Sequence, residues 1–443
     1  MDDRVRAWVT ANVGEIVDIE RQHRWRPAWF VVAQTHTGER RLYVRGNRDG
    51  FGFMEVSREA AVLRVLARHG VPVPTVHGEI DGDAVVMDWL PGDAGLDATA
   101  DPREVDAVMD SYVDALAAVH AIDPAEFAEI GIATPDTPAG VALDFFEDFV
   151  ARYREFKQRP EPVLEFVIGW LRRRVPEGAG SPRFLLGDTG QFMWADGRVT
   201  GLIDVELAHV GDVAHDLAGL RLRAVTEHMG DLGRVLRRYE EVTGRAVDRD
   251  AVEFHTAKFA VCTPLGLVIA LHLDLPMPEI LQYTEWFHQL SLHAIECIAR
   301  LEDVRLDPIA LPDPVENGQS GVARGLATMV ESLEVSDAMA EYRRETVAAV
   351  ARYVERAHAH GPGIDAADAA DVAELLGADV PADRRSTDQA LEDFVVDAGP
   401  EHDRALVALL RRRVMRQMLL LEPVLVAPGG IGHVAPLPDL FAQ

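Results

Sequence analysis

Phe184-Leu-Leu-Gly187-Asp188-Thr-Gly-Gln191-Phe-Met193-Trp-Ala-Asp196-Gly197-Arg-Val-Thr-Gly-Leu-Ile203-Asp204-Val-Glu206 is the stretch that decides the fold. Two short apolar runs flank Asp196-Gly197, a dipeptide that favours the tight turn of a hairpin. Asp188 sits on a loop just past the first run, and Asp204 ends the second strand. Both carboxylates then face one point from the same edge. Phosphoryl transfer asks for such a pair: one carboxylate takes the proton of an acceptor hydroxyl, and the other holds Mg²⁺ against the phosphates. Taken singly, each acid reads as a turn former or a helix N-cap.

Outward from this segment the pattern is helical, with apolar periodicity over 104–120, 142–156, 162–175, 231–243, 250–273 and 278–300. Toward the N-terminus the order is helix, hairpin, helix, hairpin. Residues 1–20 read as an amphipathic helix carrying Val5, Trp8, Val9, Val13, Ile16 and Val17 on one side. Residues 29–33 and 41–45 form the first hairpin; a loop over 46–52 leads to a helix from Ser57 to His69, with Gly70 as its C-cap. Residues 77–80 and 84–87 form the second hairpin around Asp81-Gly82, and Asp88-Trp89-Leu90-Pro91-Gly92 marks a crossing point.

A polar linker over 307–321 precedes further helices at 322–334, 337–359, 366–376 and 401–421. Gly361-Pro362-Gly363 and the polar stretch 382–389 separate them. The apolar cluster Val414, Met415, Met418 and Leu419 to Leu421 either packs within the chain or forms a homo-oligomer interface.

Composition narrows the function classes. The chain has 443 residues, 48% hydrophobic and 26% charged, and a formal charge of −29. That field repels polyanions, so nucleic acid and anionic membranes are disfavoured as partners. No apolar run of transmembrane length and no secretory segment are read, which makes the cytoplasm the default location. Cys262 and Cys297 match no metal-ligand spacing and read as buried packing residues. Lys157 and Lys258 are the only lysines, so an anionic ligand would have to be met by arginine.

Three motifs in order, Gly187-Asp188, Ile203-Asp204-Val205-Glu206 and Gly211-Asp212-Val213-Ala214-His215-Asp216-Leu217-Ala218, resemble the signature of the aminoglycoside phosphotransferase and choline kinase-like family. Glu59 stands where that family has its αC glutamate, Met87-Asp88-Trp89 looks like its hinge, and the resemblance covers about the first 310 residues. It implies an α+β, two-lobed protein-kinase-like fold. A small β-rich N-lobe (1–92) would bind nucleotide, a larger helical C-lobe (93–310) would carry the catalytic hairpin, and a C-terminal helical extension (320–443) would follow. It also implies ATP, or another nucleoside triphosphate, and Mg²⁺ as cofactors, with a small-molecule hydroxyl compound as substrate. Asp188 would be the base or substrate-orienting carboxylate, Asp204 a metal ligand steadied by Glu206, and Met87, Asp88 and Trp89 the adenine edge. Asp212 and Asp216 would brace the loop.

The chain departs from the family pattern at four places. Leu186 replaces the histidine two residues before the catalytic aspartate. Met193 replaces a metal-binding asparagine, and the loop is about two residues short, which makes Gln191 the substitute amide ligand. The strand lysine is missing, and Arg45 takes its position, either holding phosphate or standing solvated at a strand end. No Gly-rich loop is present; Arg24, Trp25 and Arg26 occupy its place. Two readings follow: an active small-molecule kinase, or a degenerate relative that binds a ligand or partner without transferring phosphate.

Overall fold

The computed structural model describes all residues except 23–25, 48–54, 98–99, 177–180, 274–279, 382, 425–433 and 442–443, and the side chains of residues 144, 338 and 339. The loop expected over 46–52 and the pair Arg24-Trp25 therefore fall largely outside the described residues. The chain runs α1 (Asp2–Asn12), β1 (Glu15–Arg21), β2 (Ala28–Thr35), β3 (Gly38–Gly46), α2 (Val56–Arg68), β4 (Val76–Ile80), β5 (Ala84–Asp88), β6 (Asp93–Ala94), α3 (Pro102–Ala121), a 3₁₀ turn (Pro124–Ile130), α4 (Pro138–Phe156) and α5 (Pro162–Arg173). It continues through β7 (Arg183–Leu185), β8 (Phe192–Ala195), β9 (Arg198–Leu202), β10 (His209–Gly211), α6 (Ala214–Arg223), α7 (Leu232–Thr243), α8 (Arg249–His272) and α9 (Ile280–Leu301). It ends with α10 (Ser320–Glu331), α11 (Ala338–Leu376), α12 (Arg384–Asp397) and α13 (Asp403–Leu421).

Two compact units interleave along this order. One comprises Met1–Ala142, Gly178–Asp248 and Pro438–Gln443; the other comprises Leu143–Glu177 and Arg249–Leu437.

The first unit is built on an antiparallel sheet of order β1-β2-β3-β5-β4. Alternation along the strands divides its two faces. Trp29, Val31, Ala33, Leu42, Val44 and Val86 enter a core covered by Val5 and Val9 of α1. The intervening Phe30, Tyr43 and Arg45 line a cleft on the other face. The hairpin turns have their expected chemistry: Asp81 and Gly82 have φ of 51° and 74°, and Asp196 and Gly197 have 51° and 72°, the left-handed pair of a type I′ turn. The helix expected over 1–20 stops at Asn12. A Cβ on Gly14 would lie 2.0 Å from Gln34 O, so the chain passes there as a strand edge and continues as β1. A bulge between Ile16 and Asp18 puts Ile16 and Ile19 on one side of that strand. Their spacing of three imitates a helix in sequence.

The segment 183–211 forms two small sheets rather than one hairpin alone. β8 and β9 pair around Asp196-Gly197 with β6 on the outer side, while β7 pairs with β10. Asp188 lies between β7 and β8, and Asp204 follows β9.

In the second unit α8 and α9 pack as long core helices. Among the described residues α8 is the one helix long and apolar enough by composition to cross a membrane, contrary to the reading that no such run exists. Its Phe254, Val261, Leu265 and Val268 are buried in the unit. The Val414 cluster packs within the chain: Val414, Met418 and Leu421 of α13 meet Leu281, Leu292 and Ala349. The two helices expected on either side of Gly361-Pro362-Gly363 are one helix, α11, with Pro362 inside it. Gly363 serves close approach there, since a Cβ would meet Pro312 Cβ at 2.7 Å. Of the polar stretch expected to separate helices, the described part, 383–389, opens helix α12, capped by Asp383 accepting from the Ser386 N–H, with Thr387, Leu391 and Val395 buried at i, i+4 and i+8.

Candidate active site

The cleft beside the sheet of the first unit has a volume of about 270 Å³ and two chemically distinct ends. One end is apolar and aromatic. Phe30 of β2 and Trp89 after β5 lie in tilted contact with centroids 4.4 Å apart, Tyr43 stands 5.3 Å from Phe30, and Leu63, Leu90, Met193 and Ile203 complete the wall. The other end is charged and carries Arg45, Glu59 and Asp204. A flat heterocycle suits the first end and an anion with its counter-ions the second.

Strand register explains the meeting at the charged end. Arg45 lies at the end of β3 opposite Val85, on the cleft side of the alternation. Its Nη1 is 3.3 Å from Oε1 of Glu59 on α2, and its Nη2 reaches Asp204 Oδ1 and lies 3.2 Å from Glu206 Oε2. Arg26, 1% exposed, comes from the turn before β2, donates to Gly46 O at 2.9 Å and pairs with Glu206. Three carboxylates thus share two guanidiniums. Burial works against the Arg45 charge, but Glu59, Asp204 and Glu206 together hold it above the ordinary arginine range. Burial pushes the Glu59 carboxyl up to about 7, against the pull of Arg45. Asp204 has a left-handed backbone, φ 59°, outside any two-residue hairpin turn. For a non-glycine residue that conformation costs about 1–2 kcal/mol, and such outliers gather at functional sites.

Asp188 stands on the neighbouring loop, its side chain 30% exposed. Arg223 Nη2 donates to its Oδ1 at 2.5 Å and Gln191 Nε2 to its Oδ2 at 2.9 Å. Desolvation lifts this carboxyl above the usual aspartate range, and Arg223 opposes the shift. The loop beneath is fixed by buried groups. Asp216, fully buried, accepts the N–H groups of Leu186 (2.9 Å) and Gly187 (3.0 Å) and lies 3.0 Å from His120 Nε2. Thr189 Oγ1 donates to Asp216 O at 2.5 Å, and the Gly190 N–H donates to Tyr112 Oη at 2.8 Å. Gly187, φ 84°, admits no side chain, because a Cβ would lie 2.2 Å from Leu207 O. Asp212 accepts the Ala214 N–H at 2.9 Å at the start of α6.

The structure brings Arg45, Glu59, Gln191, Asp204 and the Met87-Asp88-Trp89 segment to one cleft. Asp188 adjoins it through Gln191. The backbone N–H groups of Asp88 and Trp89 donate to Thr75 O, just before β4, and to Arg41 O of β3 at 3.0 and 3.2 Å, so these two are spoken for within the first unit. The Asp88 side chain meets His77 Nε2 at 2.6 Å. Sequence reading missed Arg223, which only the fold brings to this loop: it passes beside Gly190, where a Cβ would lie 3.0 Å from Arg223 Cγ.

A divalent cation fits the donor chemistry of the charged end. Asp204 supplies carboxylate oxygens and Gln191 an amide carbonyl, whereas Met193 offers only a thioether. Among the described residues no three His, Cys, Asp or Glu side chains form a metal cage. Mg²⁺ commonly uses one or two carboxylates, with phosphate oxygens and water completing its shell, so the set suits a metal carried by a nucleotide.

Comparison with known proteins bears on this arrangement. No curated protein matches the chain by sequence. Among solved structures, a "putative aminoglycoside phosphotransferase" of Ralstonia eutropha JMP134 superposes with a TM-score of 0.51 at 19% identity, over 66% of this chain and 96% of its own. Choline kinase LicA of Streptococcus pneumoniae gives 0.50 at 16% identity, over 68% and 99%. These likenesses speak for the fold, and the α+β, protein-kinase-like architecture expected from the sequence holds. A profile of the phosphotransferase enzyme family matches residues 27–255, just over half of the chain. The chain belongs to the phosphotransferase enzyme family.

Proposed function

We propose that the protein is an ATP- and Mg²⁺-dependent phosphotransferase acting on a hydroxyl group of a small molecule. The observation that carries this reading is the two-ended cleft. Its aromatic end (Phe30, Tyr43, Trp89) suits a nucleobase, its charged end (Arg45, Glu59, Asp204) suits a triphosphate with its metal, and Asp188 stands on the adjoining loop. The base lies against Met87 and the Asp88-Trp89 segment, and Arg45, ordered by Glu59, pairs with the phosphates. Asp204 and Gln191 would hold Mg²⁺, which would offset charge on the phosphates. Asp188 accepts the proton of the acceptor hydroxyl; that oxygen bonds to the γ-phosphorus, the bond from phosphorus to the β,γ-bridging oxygen breaks, and ADP leaves. The −29 charge of the chain makes a highly anionic acceptor an unfavourable substrate.

A second reading has its own observation. Both Asp188 oxygens are engaged, by Arg223 and Gln191, and Asp204 is engaged by Arg45. A chain locked in that state would bind a ligand without turning over. Phosphorus NMR of ATP with a panel of hydroxyl compounds separates the two. The first reading expects acceptor-dependent ADP release, abolished in Asp188→Asn with nucleotide affinity retained. Failure of calorimetry to detect binding of any nucleoside triphosphate would refute it.

A further inference from the structure

The carboxylate best placed for a metal already has a cation. Arg45 Nη2 contacts Asp204 Oδ1 directly and also approaches Glu206, while Nη1 faces Glu59. This bridging depends on arginine: a lysine ammonium is a single point, whereas the guanidinium fork offers separate donors to separate carboxylates. Arginine does not shed its proton in a protein, so deprotonation cannot relieve the contact. Nor is the cluster loosely held. Arg45 is 7% exposed, Glu59 is 2% exposed, and Glu206 Oε2, which Arg45 approaches, also pairs with the buried Arg26. The left-handed backbone at Asp204 adds a fixed aim to its side chain.

We propose that Arg45 is the resident cation of Asp204, excluding a divalent metal that arrives alone, and that nucleotide phosphates release Asp204 by drawing the guanidinium to themselves. The first half stands on the ion-pair geometry; the second rests on the phosphotransferase reading of the cleft. With all five ionised, the described side chains of Glu59, Asp204, Glu206, Arg26 and Arg45 sum to −1. Replacing Arg45 by a neutral residue leaves −2 spread over three carboxylates around a cleft, which is an attractive place for a divalent ion. Arg45 therefore sets the order of loading as well as bracing the phosphates. By linkage, nucleotide and metal tighten each other by the same factor.

The test is thermal unfolding of the full chain with MgCl₂ alone, with AMP-PNP alone, and with both, read against the protein without additions. In the wild type, MgCl₂ alone is expected to leave the melting temperature unchanged, and the pair to raise it by more than the sum of the separate effects. In Arg45→Gln, MgCl₂ alone is expected to raise it by a few degrees, and adding Asp204→Asn to that variant should abolish the rise. Circular dichroism establishes that each variant is folded. Should Arg45→Gln not fold, the wild-type arms still decide, with Asp204→Asn as the control that assigns any response to MgCl₂ alone to Asp204. A wild-type protein stabilised by MgCl₂ alone through Asp204 would overturn the proposal. So would a folded Arg45→Gln that ignores the metal. Metal binding by Arg45→Gln without nucleotide binding to either protein would uphold the first half and refute the phosphotransferase reading.

Discussion

Arg223 Nη2 lies 2.5 Å from Asp188 Oδ1, and it comes that close because residue 190 has no side chain. Glu227, 3.0 Å away at i+4 on the same segment, holds the guanidinium from its other side. An anchored cation of this kind fixes which way the carboxylate points. Arg223→Met is therefore expected to lower kcat about 10–100-fold, less than the roughly 10²–10⁴-fold of losing a general base outright, while the nucleotide KM stays put. Arg223→Lys should restore part of the loss. Steady-state kinetics with the nucleotide and acceptor varied separately check this; a nucleotide KM that rises in step with the loss of kcat would contradict it.

Arg26 has no route to solvent, and its partner Glu206 is almost as deeply buried. Removing Arg26 takes one guanidinium from Glu206, whose other, Arg45, is shared with Glu59 and Asp204, so the about 3–5 kcal/mol of a fully broken buried pair is the upper bound of the loss. Arg26→Met should reduce unfolding free energy by up to that amount in urea denaturation. The double variant Arg26→Met/Glu206→Leu should recover a good part of it, because apolar replacement of both partners removes the desolvation penalty as well. A double variant as unstable as the single one would argue against a pairwise origin.

The legibility of this site from sequence follows its physics. The Asp-Gly turns, the strand alternation of 28–46 and the amphipathic helix after residue 56 are local signals, and the structure follows them. The motif aspartates were legible because a loop before a strand and a loop after its partner must emerge at related edges. What failed was long-range or phase-shifted. The bulge at Ile16/Asp18 gave β1 a helical spacing, and Pro362 did not break α11, whose neighbouring Gly363 answers to Pro312 fifty-one residues earlier. Arg223 reaches Asp188 across thirty-five residues, a relation that no local pattern encodes.

The pH dependence of stability should carry the signature of Glu59. Its carboxyl is raised to about 7 by burial among Asp204 and Glu206, while the unfolded chain titrates near 4.5. Between these values the folded state holds a proton that the unfolded state has lost. Stability from this group is then fully present below about 4.5, declines as pH rises through 7, and levels off above it. The total is on the order of 3 kcal/mol. Glu59→Gln should flatten the urea midpoint between pH 5 and 8 relative to the wild type (about the two sides of that window). A variant whose midpoint falls as steeply as that of the wild type would assign the slope to another group.

Asp216 and Asp188 are both acids of the motif region, yet stability measurements should tell them apart. Asp216 is fully buried and accepts two backbone N–H groups, so Asp216→Ala strands both donors beneath the loop. With about 1–3 kcal/mol for each buried unsatisfied donor, a loss of about 2–6 kcal/mol is expected, along with displacement of Gly187 and the residues after it. Asp188 is partly open to water, and burial disfavours its charge, so Asp188→Asn relieves a desolvation cost while losing the Arg223 pairing. Those effects oppose each other, and its unfolding free energy should change by less than about 1 kcal/mol. Urea titration of the two variants decides the matter: comparable destabilisation in both would mean that Asp188 holds the loop together, which the bonds from Asp216 to Leu186 and Gly187 argue against.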